Sequence, residues 1–273
     1  MSTLASSFDL TGRVAVVTGG AGLLGRQFCR TFAEAGAAVL VADLNIKSAE
    51  KVAAELANLN NKGIAQQTDV GDANSVDAMV SAAVKNFGKL DILVNSAALD
   101  PKFDKNSAVK YSSAFEEYPL QAWEAALRVN LTGAFLCSQA AVKPMLKQGS
   151  GVIINICSTY GLGGPDQRIY QKKGQPAQYK PVDYTVTKAG ILGLTKYLAT
   201  YYGNKKIRVN ALSPGGVFND HDEEFLKAYS SRTVLGRMAH PDEMNGALLF
   251  LASDASSYMT GANLIVDGGW TAW

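Results

Sequence analysis

Val14-Ala15-Val16-Val17-Thr18-Gly19-Gly20-Ala21-Gly22-Leu23-Leu24-Gly25 is the stretch on which the fold turns. Its first five residues are small, apolar or β-branched, a run suited to a strand buried on both faces. The seven that follow are rich in glycine, and Arg26-Gln27-Phe28-Cys29-Arg30 then suits a helix. Glycines 20, 22 and 25 satisfy Gly-x-Gly-x-x-Gly in a strand-to-helix setting. Such a turn omits side chains so that backbone N–H groups and the helix N-terminus can approach a pyrophosphate. A glycine turn with no ligand satisfies the same pattern, so the weight of the motif depends on its surroundings.

Working outward, short β-branched runs alternate with helix-length segments. Strands are expected at Arg13–Thr18, Ala38–Asp43, Gly63–Thr68, Asp91–Asn95, Gly151–Ser158, Ile207–Ala211 and Asn263–Asp267. Helices are expected near Leu24–Ala35, Ile46–Leu59, Ala73–Phe87, Leu120–Gln148, Val182–Tyr202 and Pro241–Ala252. The alternation is never broken by a Pro/Ser-rich linker, an internal repeat or a low-complexity run. It predicts an α/β fold, one doubly wound domain over 1–273 with a seven-stranded parallel sheet and helices on both faces. Right-handed crossovers place every strand's carboxyl end on one edge, where ligand chemistry belongs.

The chain has 273 residues, 47% hydrophobic and 18% charged, with 26 Lys plus Arg against 24 Asp plus Glu. That length allows one large domain or two small ones, and the even charge argues against disorder and against a nucleic-acid-coating surface. Cys29, Cys137 and Cys157 are odd in number and far apart, which fits neither a disulfide framework nor a paired-cysteine zinc site. His221 and His240 lack a second metal ligand at useful spacing, so no metal is expected. The amino terminus lacks a basic flank and a long apolar run, and no stretch reaches a membrane-span length. A cytoplasmic protein without a membrane partner is the expectation.

Asp43 ends the second strand, eighteen residues after Gly25. A carboxylate there accepts hydrogen bonds from ribose hydroxyls and repels a 2′-phosphate, so NAD is preferred to NADP. Asp43 as a simple turn residue is the competing reading, and Lys47 lies close by. Asp69-Val70 and Asn95-Ser96-Ala97-Ala98 follow the third and fourth strands, where a carboxylate meets an adenine amino group and small residues admit a ring.

Tyr184 and Lys188 stand at i, i+4 in an expected helix, on one face. A nearby cation favours phenolate, which would bring the Tyr184 pKa down toward that of a general acid or base. Ser158 is delivered at a strand's carboxyl end, where its hydroxyl can hold a substrate oxygen. Asn130 interrupts an apolar helix, where its amide either anchors a water near Lys188 or satisfies backbone at a kink.

Thr18-Gly19 through Gly25, Asp69-Val70, Asn95 to Ala98, Asn130, Ser158, Tyr184 with Lys188, Ser213-Pro214-Gly215 and Gly261 with Val266-Asp267-Gly268-Gly269 form an ordered set of landmarks. In them the sequence resembles the short-chain dehydrogenases/reductases over nearly its whole length. The resemblance implies a Rossmann fold and an NAD(P)-dependent enzyme acting on CH–OH groups. It implies that Tyr184 is the acid/base, Lys188 lowers its pKa and binds the nicotinamide ribose, Ser158 orients the substrate oxygen, and Asn130 supports a proton-relay water. Cofactor contacts are expected from Gly19, Gly22, Leu24, Gly25, Asp43, Leu44, Asp69, Val70, Asn95, Ala97, Tyr184, Lys188, Pro214, Gly215 and Val217. Leu23 stands where the family's shorter members have Gly or Ala, while Gly22 matches the arrangement of longer ones. Ser96 and Ala98 replace the usual Asn and Gly.

Two segments exceed the family's usual connections, Leu99 to Pro119 and the 26 positions from Ser158 to Tyr184. Arg168, Lys172, Lys173 and Lys180 either read an anionic or polyhydroxylated ligand or decorate a solvated loop, and His221 lies near enough to touch substrate. The terminal Gly268-Gly-Trp-Thr-Ala-Trp273 carries two tryptophans, expected to pack on another subunit, and the resemblance suggests a homotetramer. Similarity to members of bacterial surface-sugar or flagellin-glycan pathways favours sugar or polyol oxidation by hydride transfer between a secondary alcohol and a ketone. A 3-oxoacyl ketoreductase using NADPH and a catalytically silent nucleotide-binding scaffold are the alternatives.

Overall fold

The computed structural model describes residues 3–57, 62–100, 113–172, 174 and 177–273. Seven strands, β1 (Val14–Thr18), β2 (Ala38–Asp43), β3 (Gly63–Gln67), β4 (Ile92–Asn95), β5 (Gly151–Ile156), β6 (Ile207–Pro214) and β7 (Asn263–Val266), form one sheet in the order β3-β2-β1-β4-β5-β6-β7. Every pairing is parallel. The helices are α1 (Leu23–Glu34), α2 (Ile46–Ala57), α3 (Ala73–Phe87), α4 (Leu120–Ala126), α5 (Gly133–Gln148), α6 (Val182–Tyr202), α7 (Glu223–Ser230) and α8 (Asn245–Ala252).

The strands are almost wholly apolar because both sheet faces are covered, and their alternation sorts side chains between two cores. Ala15, Val17, Val39, Val41, Ile92 and Val94 pack with Phe28 and Phe32 of α1 and Leu248 and Leu251 of α8. Val16, Leu40, Leu93 and Ile153 pack with Met79 of α3, Met145 of α5 and Leu198 of α6 on the other face. This is the doubly wound Rossmann arrangement. Its strand order reverses beside β1, whose neighbours are β2 and β4, and a crevice opens beyond the strand ends there.

Several expected boundaries move. The long helix from Leu120 to Gln148 contains a π-helical segment, Leu127–Thr132, between α4 and α5. Strand β5 stops two residues before Ser158, whereas β6 runs past Ala211 to Pro214 because Ser213 and Pro214 pair with Ile265 and Val266. Pro241–Met244 is a 3-10 turn leading into α8. Helix α7 was not expected. Asp222 caps it by accepting from the Phe225 N–H at 2.9 Å, and Glu223 and Glu224 follow in the first turn, a start signal legible in the sequence. Leu59, at the expected end of α2, Lys173 and the part of the 99–119 insertion from 101 to 112 lie outside the described residues.

Candidate active site

The carboxyl ends of the strands open into a cleft of about 910 Å³. At its nucleotide end the glycine loop packs tightly on itself. A Cβ on Gly25 would stand 2.0 Å from the Gly19 carbonyl oxygen, and one on Gly19, whose φ is +63°, would stand 2.8 Å from the Ala97 Cα. Thr18 fastens the facing loop, donating to the Val94 carbonyl at 3.2 Å and accepting from the N–H groups of Ser96 and Ala97 at 3.1 and 3.2 Å. Asp43 accepts from the N–H groups of Ala21 and Asn45, both at 3.0 Å, so its carboxylate supports the loop that it also borders. Asp69 accepts from the Gly71 N–H at 2.8 Å and pairs with Arg128.

Gly19, Gly22, Leu24, Gly25, Asp43, Leu44, Asp69, Val70, Ala97, Pro214, Gly215 and Val217 all line this cleft. Asn95 departs from expectation. Its side chain turns inward, donating to Asn155 Oδ1 at 2.8 Å and Ser138 Oγ at 3.0 Å, and the cleft wall there is built by Ser96, Ala97 and Ala98. The cause is pleating: Val94 faces the α1 side, so Asn95 must face α5.

At the reactive end Ser158, Tyr184 and Lys188 converge. Ser158 follows β5 in extended backbone, its Oγ accepting from the Tyr160 N–H at 3.1 Å while its hydroxyl bonds Tyr184. The Lys188 ammonium lies 5.7 Å from the Tyr184 ring centroid and donates to the Ile156 carbonyl at 2.8 Å. Asn130 lies in the π segment rather than on the cleft wall. Its amide clips Leu99 at both backbone groups, accepting from the N–H at 2.6 Å and donating to the carbonyl at 3.1 Å. It therefore holds the loop after β4, and it also lines a chamber of about 10 Å³ that touches Lys188.

The expected fall in the Tyr184 pKa is reversed in the cleft by itself. Burial pushes the phenol up, the Asp100 carboxylate adds to this, and only the Ser158 hydrogen bond pulls down. Burial also pushes the Lys188 ammonium down. Both groups are thus biased toward their neutral forms.

Residues of the two insertions complete the cleft wall around Tyr184. Lys180 places its ammonium 4.0 Å from the Tyr184 ring centroid and pairs with Asp100, while Lys172 pairs with Asp222 at 2.6 Å. Arg168 instead pairs with Asp166 at 2.8 Å and is off the cleft. Tyr160, Tyr170, Phe225, Tyr229 and His221 form an aromatic wall that the sequence reading missed apart from His221, which stacks on Phe225 at 4.9 Å. The two tail tryptophans differ in their surroundings within the chain. Trp270 is covered within its own chain, stacking on Tyr229 at 4.5 Å, whereas Trp273 is exposed. Among the described residues no cluster of His, Cys, Asp or Glu suited to a metal is found, and no helix is long and apolar enough to cross a membrane.

A Rossmann sheet whose phosphate-loop edge leads to a Ser-Tyr-Lys cluster defines a dinucleotide-dependent oxidoreductase. Comparison with known proteins agrees. The family model described as "Enoyl-(Acyl carrier protein) reductase" matches residues 19–271. D-threitol dehydrogenase of Mycolicibacterium smegmatis is 37% identical over 97% of this chain and 95% of its own, and cis-4-hydroxycyclohexanecarboxylate dehydrogenase of Sinomonas cyclohexanicum is 36% identical over 95% and 97%. Among solved structures, a short-chain dehydrogenase/reductase from Mycobacterium marinum superposes with a TM-score of 0.86 at 32% identity, covering 100% of both chains. A gluconate 5-dehydrogenase from Burkholderia cenocepacia, in complex with NADP and tartrate, gives 0.84 at 31% identity, covering 98% of both. The chain belongs to the short-chain dehydrogenases/reductases, enzymes that act on CH–OH groups with NAD or NADP.

Proposed function

We propose that this enzyme interconverts a polar secondary alcohol and its ketone with NAD in preference to NADP, and that Tyr184 is its acid/base. The observation that carries the reading is the convergence of Ser158, Tyr184 and Lys188 at the end of a cleft that begins at the glycine loop. Gly25 and Gly19 let the loop fold tightly where any Cβ would collide with backbone, the turn a pyrophosphate-binding loop needs, so the residues present fit a dinucleotide. Asp43, at the end of β2, favours ribose hydroxyls over a 2′-phosphate. The dinucleotide, when bound, supplies the hydride acceptor or donor.

The chain's own groups do the rest. Ser158 holds the substrate oxygen, and Tyr184 takes its proton in oxidation or returns it in reduction. Lys188, fixed on the Ile156 carbonyl, stands beside the phenol, where it would hold the nicotinamide ribose and, once protonated, favour the phenolate. The chamber shared by Asn130 and Lys188 is of single-water size, which supports a relay of the proton away from the site. Relatives that act on D-threitol and cis-4-hydroxycyclohexanecarboxylate support a compact polar alcohol as substrate.

The unbroken sheet supports a single domain, and three free, buried cysteines support a reducing, cytoplasmic setting. Exposed Phe135 and Leu146 on α5 and Val186, Tyr197 and Tyr201 on α6 support a homotetramer built on these helices. The test is Tyr184→Phe, assayed by absorbance of reduced nicotinamide with polyols, alicyclic alcohols and hydroxy acids. Turnover is expected to disappear while NADH still binds; substantial residual turnover would sink the assignment.

A further inference from the structure

Among the described residues Lys180 is the cation nearest the Tyr184 ring, and neither the cofactor cradle nor the proton transfer uses it. Its ammonium stands 4.0 Å from the Tyr184 ring centroid, closer than that of Lys188 at 5.7 Å. Its backbone is pinned on both sides, the N–H donating to Gln167 Oε1 at 2.8 Å and the carbonyl accepting from Gln167 Nε2 at 3.2 Å. The preceding residue is tied down as well, the Tyr179 N–H donating to Ser113 Oγ at 2.9 Å. A lysine so held is aimed at the cleft before any substrate arrives.

The two halves of the Lys180–Asp100 pair differ sharply in their access to water. The lysine side chain is 10% exposed and the aspartate 46%. The carboxylate, half in water, is readily rehydrated when it leaves the pair. The covered ammonium cannot follow it and needs an anion in its place. Tyr160 meets Tyr184 edge to face at 6.4 Å, and the aromatic series continues through Trp270 to Tyr229 and Phe225, a wall on which a compact carbon skeleton can lie. Lys172, by contrast, is joined to the capping aspartate of α7.

We infer that Lys180 is a specificity-determining residue that selects hydroxy acids: a substrate carboxylate a few bonds from the reacting carbon replaces Asp100 as the partner of the Lys180 ammonium, and the reacting hydroxyl falls between Ser158 and Tyr184. This rests on the functional reading above and narrows its substrate class. The exchange trades one carboxylate for another, so the charge around Tyr184 is nearly conserved. A neutral alcohol leaves Asp100 in place and gains nothing from Lys180.

The experiment compares 4-hydroxycyclohexanecarboxylate and 3-hydroxybutyrate with their neutral amides, as ligands of the NAD-loaded enzyme by calorimetry and as substrates by absorbance. Wild type is expected to bind each acid tighter than its amide by about tenfold or more, the scale of one charge-assisted hydrogen bond. In Lys180→Gln the ratio falls to near one, chiefly through KM and not kcat. Lys180→Arg retains most of the preference, and in Asp100→Asn, where the resident competitor is gone, the ratio rises several-fold. Unimpaired NADH binding shows that each variant is folded. Equal binding of acid and amide in wild type, a preference that survives Lys180→Gln, or a ratio that stays put or falls in Asp100→Asn overturns the inference. Absence of turnover with every alcohol would count against the functional reading instead, and the calorimetric ratios would still decide the role of Lys180.

Discussion

Replacing Asp43 with Asn separates two jobs that one carboxylate performs. Both oxygens accept backbone hydrogen bonds, from Ala21 in the glycine loop and from Asn45, at 3.0 Å each. An asparagine has one acceptor oxygen and one amino group, so one of these N–H groups would face a donor. For a half-exposed group this costs about 1 kcal/mol, a fall of about 2–4 °C in Tm for a domain approaching this size. The second job, under the proposed preference for NAD, is repulsion of a 2′-phosphate carrying about −1.5 to −2 charge. At about 4–5 Å and a near-aqueous effective dielectric of about 60–80, losing that repulsion is worth about 1–3 kcal/mol, or about 10–100-fold in affinity. Fluorescence titration of NADH and NADPH against both proteins checks this. The ratio of the two dissociation constants is immune to the folding loss, because both cofactors meet the same folded population. Asp43→Asn is expected to shift that ratio toward NADPH by about 10–100-fold. A ratio unchanged within about twofold would refute the assignment of cofactor preference to this carboxylate.

Gly25→Ala is expected to abolish cofactor binding at the loop, since its Cβ would lie 2.0 Å from the Gly19 carbonyl oxygen and 2.9 Å from the Gly20 Cα. Added NADH should raise the melting temperature of wild type and leave that of the variant unmoved; equal stabilisation of both would show that the loop does not hold the dinucleotide. Asp100→Asn is expected to move the pH profile of alcohol oxidation toward acid. The Asp100 charge pushes the Tyr184 phenol up, so its removal lets the phenolate form at lower pH, and the rising limb of kcat/KM follows. A limb that stays or moves toward alkali would contradict the placement of Asp100 beside Tyr184.

The parts of this molecule legible in the sequence are those set by local chemistry. Apolar runs marked β1, β2 and, but for Asn155, β5 because strands covered on both faces need no polar alternation, and β2, α3 and α6 have the expected bounds. The glycine loop, Ser158, Tyr184 and Lys188 were readable because strand ends share one edge and an i, i+4 pair shares one face. Asn95 was misplaced although its direction was available, since the side chain after Val94 must point to the opposite core. The long-range partners were not readable at all. Lys180 and Asp100 are 80 positions apart, and Asn130 reaches Leu99 across 31. The direction of the Tyr184 shift also escaped, because a spacing reports the neighbouring Lys188 but not the burial and the distant Asp100 that push the phenol up. The two long connections become intelligible only once these partners are known. One brings Asp100 and Leu99 to the mouth of the cleft, the other brings Lys172 and Lys180, and ion pairs tie the second both to the first and to the start of α7. Variation in these connections therefore changes the charge that a substrate meets beside Tyr184 while leaving the glycine loop and the proton-transfer groups in place.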